Sequence, residues 1–254
     1  MYDAFYSEIA QVRNRPARVE FSRLTVRQFE HAVADLLRSF RGWEKWDAER
    51  GLAAQYFNSR GFNRDKRKIE RRDQTVDFDF GEGTPGEDFG KDEFSGKWEG
   101  SLLAPKTGIY EFIVETHNGA RLWVNDEQTP VVDAWVRSGD ATVFKGTQRL
   151  LGGRVYPMRL EFFKFKEPRA SIRLKWRPPF HAEEVIPASH LSPHGSSSTF
   201  VLTTPFPPDD RSTGFERGTS VSPAWNEATT FAAIETAAYV GSRLRELMNV
   251  RREE

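Results

Sequence analysis

Carboxylates are plentiful in this chain, and Asp77 with Asp79 and Asp209 with Asp210 stand close enough in sequence to suggest paired acid chemistry. Two carboxylates held about 5–10 Å apart across a cleft would hydrolyse a glycosidic bond. Proximity in sequence does not set that distance, and no motif joins these four. His181, His190 and His194, with Glu183 and Glu184 nearby, offer metal-ligating types. A spacing of four suits two ligands on one helix face, but Pro187 and Pro193 oppose a helix there. Solvated histidines of a linker are expected instead. Gly81-Glu82-Gly83-Thr84-Pro85-Gly86 spells GxGxxG, a pattern that holds a pyrophosphate only between a strand and a helix N-terminus. Pro85 blocks helix entry, while Glu82, Glu87 and Asp88 would repel phosphate, so a loop is expected. No serine nucleophile elbow, zinc-protease motif or phosphate loop occurs. The chain reads as non-catalytic.

Composition narrows the partners. The 254 residues carry 37 basic and 37 acidic side chains, and a neutral chain is a poor match for nucleic acid. The basic stretch Arg64, Lys66, Arg67, Lys68, Arg71 and Arg72 is interleaved with Asp65, Glu70 and Asp73 and reads as a wet surface loop. Cysteine is absent, which removes disulfides, thiolate zinc and c-type haem attachment from this chain. No segment approaches the ~20 apolar residues of a membrane helix, and the acidic N-terminus does not read as a secretory leader.

Three patterns follow one another along the chain. Tyr2, Phe5, Ile9 and Val12 recur at helical spacing up to Pro16. A second helix opens on a capping box, Thr25 with Gln28, and carries Val26, Phe29, Val33, Leu36, Leu37 and Phe40 as one apolar stripe. From Gly51 the period becomes two. Ala170, Ile172, Leu174 and Trp176 alternate with Ser171, Arg173 and Lys175, and Met158, Leu160 and Phe162 repeat the pattern. Further strands are expected at Val76 to Phe80, Phe94 to Leu102, Ile109 to Glu115 and Arg121 to Val124, with turns at Pro105 and Gly108, Asn118-Gly119 and Gly152-Gly153. Many short, punctuated strands predict an antiparallel β-sandwich whose core takes Phe94, Trp98, Tyr110, Phe112, Leu122 and Trp176. The run from Ser192 to Ser198 is too small and polar to pack and reads as a linker. Ser222-Pro223 then caps a long helix whose buried side is expected to hold Phe231, Ile234, Ala238, Leu244, Leu247 and Met248. The fold class is mainly β. The chain divides into a helical flank over 1–50, the sandwich over 51–191, a linker and extended segment over 192–220, and a C-terminal helix over 221–254.

Gly51-Leu52-Ala53-Ala54-Gln55-Tyr56-Phe57 resembles the entry strand of the PA-14 (protective-antigen) domain family. Phe94, Trp98 and Gly100, then Ala104-Pro105, Thr107-Gly108, Tyr110 and Phe112 are similar to its central hairpin. Asn118-Gly119-Ala120-Arg121-Leu122-Trp123-Val124 and Val132-Asp133-Ala134-Trp135 resemble its middle signature. Its last strands and exit are matched by Tyr156-Pro157-Met158-Arg159-Leu160-Glu161-Phe162, Leu174-Lys175-Trp176, Ile186-Pro187 and Leu191. The resemblance implies a carbohydrate-binding or spacer module of an exported protein, extracellular or periplasmic. It also implies a calcium ion on paired aspartates just before Gly119. Here His117 and Asn118 occupy those positions, and imidazole is a poor calcium ligand, so no calcium and no other cofactor is expected. The flanks, with Arg23-Leu24-Thr25, Asp35-Leu36-Leu37, Pro207-Pro208-Asp209-Asp210-Arg211 and Gly214-Phe215, resemble the host sequence of large exported bacterial proteins of unknown function. Some of those also carry c-type haem domains.

From this resemblance the expected partner is a polysaccharide or cell-wall glycan, met by loops at one end of the sandwich. The expected carbohydrate-binding residues are His117, Asn118, Arg121, Asp133 and Trp135. Asn118 and Arg121 would bond hydroxyls and Trp135 would stack or support, with Trp123 bordering the same region. The alternative is a scaffold whose helical flanks dock against other domains of a parent protein.

Overall fold

A computed structural model describes residues 22–40, 46–136, 140–219 and 221–253, together with Ser7. The first helix expected, over Tyr2, Phe5, Ile9 and Val12, lies outside the described residues. Two helices, α1 (Val26–Ser39) and α2 (Pro223–Glu253), flank twelve strands. The strands are β1 (Leu52–Phe57), β2 (Arg67–Asp73), β3 (Asp77–Gly81), β4 (Glu93–Ala104), β5 (Gly108–Thr116) and β6 (Gly119–Val124). They continue as β7 (Val132–Ala134), β8 (Val143–Leu150), β9 (Arg154–Phe165), β10 (Ala170–Arg177), β11 (Glu184–Val185) and β12 (Leu191–Ser192).

All pairings are antiparallel. One sheet runs β2-β1-β4-β9-β6-β7, with β12 also on β4, and the other runs β11-β10-β5-β8, with β3 also on β10. The period-two patterning explains this. In β9, Tyr156, Met158, Leu160 and Phe162 turn inward; in β10, Ala170, Ile172, Leu174 and Trp176 do the same. Phe94, Trp98, Tyr110, Phe112, Leu122 and Trp176 are all fully buried in one core, as their spacing predicts.

A carboxylate sits at the margin of that core. Asp73, which the sequence places in a wet basic loop, ends the edge strand β2 and is buried. Its Oδ2 accepts hydrogen bonds from Tyr56 Oη at 2.5 Å and Trp98 Nε1 at 2.9 Å, and its Oδ1 accepts from Arg71 Nε at 2.6 Å. Burial, then the bond to Asp73, pushes the Tyr56 phenol far above its ordinary range, so Tyr56 remains a donor. Gly51, at a φ of 95°, brings the chain against the Asp73 carbonyl, where a Cβ would fall 2.4 Å away. The other charges of β2 face water along a sheet edge, where they discourage edge-to-edge pairing.

The segment from Ser192 onward also departs from expectation, for it packs. Ser192 is buried in β12, the Ser101 hydroxyl donates to the His194 carbonyl, and Val201 lies against the core. Asn125, with a φ of 67°, grips Thr199 by two bonds: its Oδ1 accepts from Thr199 N at 2.7 Å, and its Nδ2 donates to Thr199 O at 2.8 Å. Small side chains let this backbone lie close to the sheet.

The chain divides into two compact units, 31–201 and a second one joining Met1–Glu30 with Leu202–Glu254. In the second unit, Thr25 and Gln28 form the reciprocal capping box expected, at 3.2 and 2.9 Å. Asp209 adds a third cap, accepting from Val26 N at 2.7 Å while it pairs with Arg23 at 2.6 Å. Phe29 meets Phe206 and Trp225 at 5.3 and 6.0 Å between ring centroids, and Arg23 lies 3.7 Å over Trp225. Ser222 Oγ caps α2 through Trp225 N. Glu235 accepts four bonds from the backbone and hydroxyls of Thr203 and Thr204. Burial opposes its ionisation, but the bonds from Thr204 and Thr203 outweigh that and hold its carboxyl below the usual range.

The apolar stripes differ from expectation. On α1 Leu36 is exposed, as is Phe40 just beyond its end, and the buried positions are Glu30 and Ala34, with the capping Thr25 before them. On α2 the buried residues are Trp225, Ala228 and Ala232, whereas Phe231, Ile234, Leu244 and Met248 are more than half exposed. The Leu247 side chain lies outside the described residues. The small residues of α2 face inward because alanine permits the closest helix approach.

Replacing Asp73 by Ala strands the Tyr56 hydroxyl and Trp98 indole in a dry site. It should cost about 3–5 kcal/mol, read as a lowered urea midpoint at constant slope. Tyr56→Phe removes the bond to Asp73 and the one that Tyr56 Oη accepts from Arg71 Nη2 at 3.1 Å, but leaves Asp73 its bonds from Trp98 and Arg71, and should cost about 1–2 kcal/mol. Equal costs for the two variants would show that Asp73 does not organise this cluster. In the other unit, Trp225→Ala should destabilise by about 3–5 kcal/mol, measured by loss of near-ultraviolet circular dichroism on heating.

Candidate carbohydrate-binding face

The outward side chains of the larger sheet are set by register. Gly119 pairs with Phe163, Arg121 with Glu161, and Trp123 with Arg159. On the other side of β9, Ser95 pairs with Phe163, Lys97 with Glu161, and Glu99 with Arg159. Arg121 also pairs with Asp133 of β7. This face therefore carries ordered rows across β4, β9, β6 and β7.

Its upper row is aromatic. Trp135 lies 4.6 Å from Phe163 and 6.2 Å from Phe62, with Phe57 behind Phe62 at 5.7 Å. Gly119 makes this possible, since a Cβ there would fall 2.0 Å from the Phe163 ring. A glycine on β6 lets Phe163 lie across the neighbouring strand and reach Trp135. Cations border the cluster. Arg121 stands 5.0 Å from the Trp135 ring, and Arg60 stands 5.6 and 5.2 Å from Phe163 and Phe165. Trp135, Phe163 and Phe62 are partly exposed, so an aromatic surface remains open beside charged groups.

Arg121, Asp133 and Trp135 come together as a unit. Arg121 Nε donates to Asp133 Oδ1 at 2.9 Å, and the same oxygen accepts from Trp135 N at 3.1 Å. The bond from Arg121 is the main cause that holds the Asp133 carboxyl below its usual range. Asp133 thus stays ionised and acceptor-only at neutral pH, and the pair is locally neutral. Asn118 does not join them. It is 2% exposed, its Nδ2 donates to Arg169 O at 3.0 Å, and its Oδ1 accepts from Ser171 N at 3.2 Å. It is a structural clamp between β6 and the turn into β10. His117 is exposed in the preceding turn. These two side chains do not fit the calcium implied by the resemblance, because the one side-chain oxygen they offer, Asn118 Oδ1, already accepts from Ser171 N and no carboxylate is present. Trp123 is buried beneath the Arg159 guanidinium, 4.0 Å over its ring.

Residues the sequence reading passed over are Phe62, Phe163 and Arg60. Phe163 had a signal: with Leu160 and Phe162 inward, a large aromatic falls at an outward position. The histidines sit apart from this face. His190 is partly buried 5.1 Å from Trp176, a correction to its reading as solvated, while His194 meets Asp47 at 3.0 Å and His181 remains exposed. Among the described residues no group of three or more His, Cys, Asp or Glu is placed to hold a metal. No described helix is long and apolar enough to cross a membrane.

Comparison with known proteins gives the same frame. The anti-sigma-I factor RsgI3 of Acetivibrio thermocellus is 34% identical over 143 residues, covering 56% of this chain and 21% of that protein. A solved anti-sigma factor domain-containing protein is 32% identical with a TM-score of 0.53, over 59% of this chain and 50% of that one. Another, from Clostridium clariflavum, is 25% identical with a TM-score of 0.51, over 62% and 51%. This chain thus spans about half, or less, of the relatives it matches. The PA14 domain model matches residues 48–190, which takes in all twelve strands but the last. The chain belongs to the PA14 domain family.

Proposed function

We propose that the chain is a non-catalytic carbohydrate-binding module of a larger exported protein, and that it meets a polysaccharide or cell-wall glycan through the Trp135 face. The observation that carries this is the partly exposed Trp135–Phe163–Phe62 cluster beside the Arg121–Asp133 pair. Pyranose rings are amphipathic: their C–H faces stack on aromatic rings and their hydroxyls need both donors and acceptors. Trp135 supplies the ring, Arg121 the donor and Asp133 the acceptor. Membership of the PA14 family supports the reading, since carbohydrate binding is a usual role of these domains.

A second reading has its own observation. Phe231, Ile234, Leu244 and Met248 leave an apolar line open on α2, as a segment docking against other domains of a parent protein would. If those positions serve a partner, Phe231→Ser with Ile234→Ser leaves the melting temperature unchanged. A marked fall would show that they already pack within this chain.

Sugars bind through modest hydrogen bonds and stacking, so the affinity expected is on the order of 10 µM to 1 mM. It should vary little with salt, because no counterions are released. Trp135→Ala should abolish binding on a glycan array while costing only about 1 kcal/mol of stability, since the ring is not core. Asn118→Ala should do the reverse, costing about 1–3 kcal/mol and leaving affinity intact. Binding should persist in EDTA, and calcium titration by calorimetry should show no site tighter than millimolar. Affinity should stay flat through neutral pH and fall only below the ordinary carboxylate range, where Asp133 finally takes a proton. A well-folded protein that captures no glycan at millimolar concentration would sink the proposal.

A further inference from the structure

The same sheet face holds a second feature below the aromatic row. A cavity of about 350 Å³ opens over β4, β9 and the end of β6, with Glu99, Trp123, Glu127 and Arg159 on the sheet side and Pro193 and Ser196 on the other. Such a volume lies at the lower end of small-ligand pockets. Its outer wall is a built one, because the Asn125–Thr199 clamp and the Ser101–His194 bond hold the backbone of that segment to the sheet.

The lining carries unmet hydrogen-bonding capacity. Four buried side-chain polar atoms lack a partner among the described residues, and three of them, Trp123 Nε1, Arg159 Nε and Ser196 Oγ, belong to residues that line this one cavity. The Glu161 carboxylate stands 3.5 Å from Arg159 Nε yet makes no hydrogen bond with it. Arg159 Nη2 reaches the Glu127 carbonyl only at 3.4 Å. A buried donor left unpaired costs about 1–3 kcal/mol, so three around one space indicate a polar guest. The lining carries three carboxylates, Glu99, Asp126 and Glu127, and one guanidinium, Arg159, and with Lys97 pairing Glu99 at 2.8 Å it still keeps a net negative charge that would repel an anion. A guest that accepts from an indole and a guanidinium, donates to carboxylates and carries no negative charge is a polyol.

Register places this cavity relative to the aromatic row. Phe163 and Arg159 are four residues apart on β9, roughly 14 Å at strand rise, with Lys97, Glu161, Arg121 and Asp133 forming a polar row between them. We infer that the cavity is a second subsite for the same ligand, so that the module grips the interior of a neutral polysaccharide rather than a terminal mono- or disaccharide. This rests on the Trp135 face being a sugar site. Acidic polymers are disfavoured at the cavity, whose lining carries three carboxylates and one guanidinium.

The test uses the full chain and neutral cello-, xylo- and manno-oligosaccharides, as disaccharides and as hexasaccharides, in calorimetry. For at least one series the hexasaccharide should bind at least tenfold more tightly than the disaccharide. Ser196→Ala, which removes only the unpartnered hydroxyl, and Trp123→Phe, which removes the indole N–H together with part of a buried ring, should each weaken the hexasaccharide about five- to tenfold. Both should leave disaccharide affinity unchanged, and Ser196→Ala should also leave the melting temperature unchanged, whereas Trp123→Phe lowers it modestly. Equal affinity for both lengths, sensitive to Trp135→Ala but indifferent to the two cavity variants, would overturn the second subsite and leave the aromatic site standing; the cavity would then hold water only. Binding that responds to the cavity variants but not to Trp135→Ala would support the cavity and remove the aromatic site. No binding of any series would remove both.

Discussion

The sandwich is anchored by one buried carboxylate. Asp73 ties the edge strand β2 to β1 through Tyr56 and to β4 through Trp98, while Arg71 balances its charge from the solvent side. Tyr56 and Trp98 lie 5.6 Å apart, and Phe78 stacks on Trp98 at 6.0 Å. The polar tips of two large aromatic residues thus share one acceptor. That arrangement fixes where their rings lie in a core built mostly of aromatics. An apolar residue at this position would leave the Trp98 indole N–H and the Tyr56 O–H without an acceptor, which is why a charge is tolerated here. With β1 and β4 registered by this contact, β9 and then β6 follow in their antiparallel order, and the outward rows of the sheet are set.

Those outward rows turn a packing scaffold into a surface with chemistry. Inward positions along β9 make the core, and the alternate ones, Pro157, Arg159, Glu161, Phe163 and Phe165, make the outward side. Gly119 belongs to both accounts. Its lack of a Cβ admits the Phe163 ring, and that ring in turn supports Trp135. The glycine of the family signature therefore shapes the candidate site through sterics. Asn118, its neighbour, closes a turn by bonding Arg169 and Ser171.

Much of this was legible in the sequence because strand periodicity is a local signal. The alternation in β9 and β10, the capping box of Thr25 and Gln28, and the inward Phe94, Trp98 and Tyr110 all follow from spacing. What was not legible depends on contacts across long sequence distances. Asp73 looked like one charge in a basic run, since its partners Tyr56 and Trp98 lie in other strands. Asn118 looked like a sugar ligand because its amide could not be seen to be bound already. The segment after Leu191 looked too small to pack, yet small residues are what its close approach to β4 requires. The stripe on α2 was assigned to the interior on hydrophobicity, whereas the close contacts are made by Ala228 and Ala232 with Trp225. Arg121, Asp133 and Trp135 come together because β6 and β7 pair across a short loop. Phe62 and Phe163 complete the cluster from strands and loops that sequence alone does not bring together.

The most direct test of the carbohydrate face follows the indole N–H resonances of the seven tryptophans in a nitrogen–proton correlation spectrum during titration with a neutral polysaccharide fragment. The account predicts that the Trp135 signal moves through its ring environment, and the Trp123 signal through a new hydrogen bond. The Trp98 signal, held by Asp73, and the Trp225 signal should stay in place. A titration that binds ligand yet leaves Trp135 and Trp123 unmoved, or that shifts Trp225 instead, would contradict it.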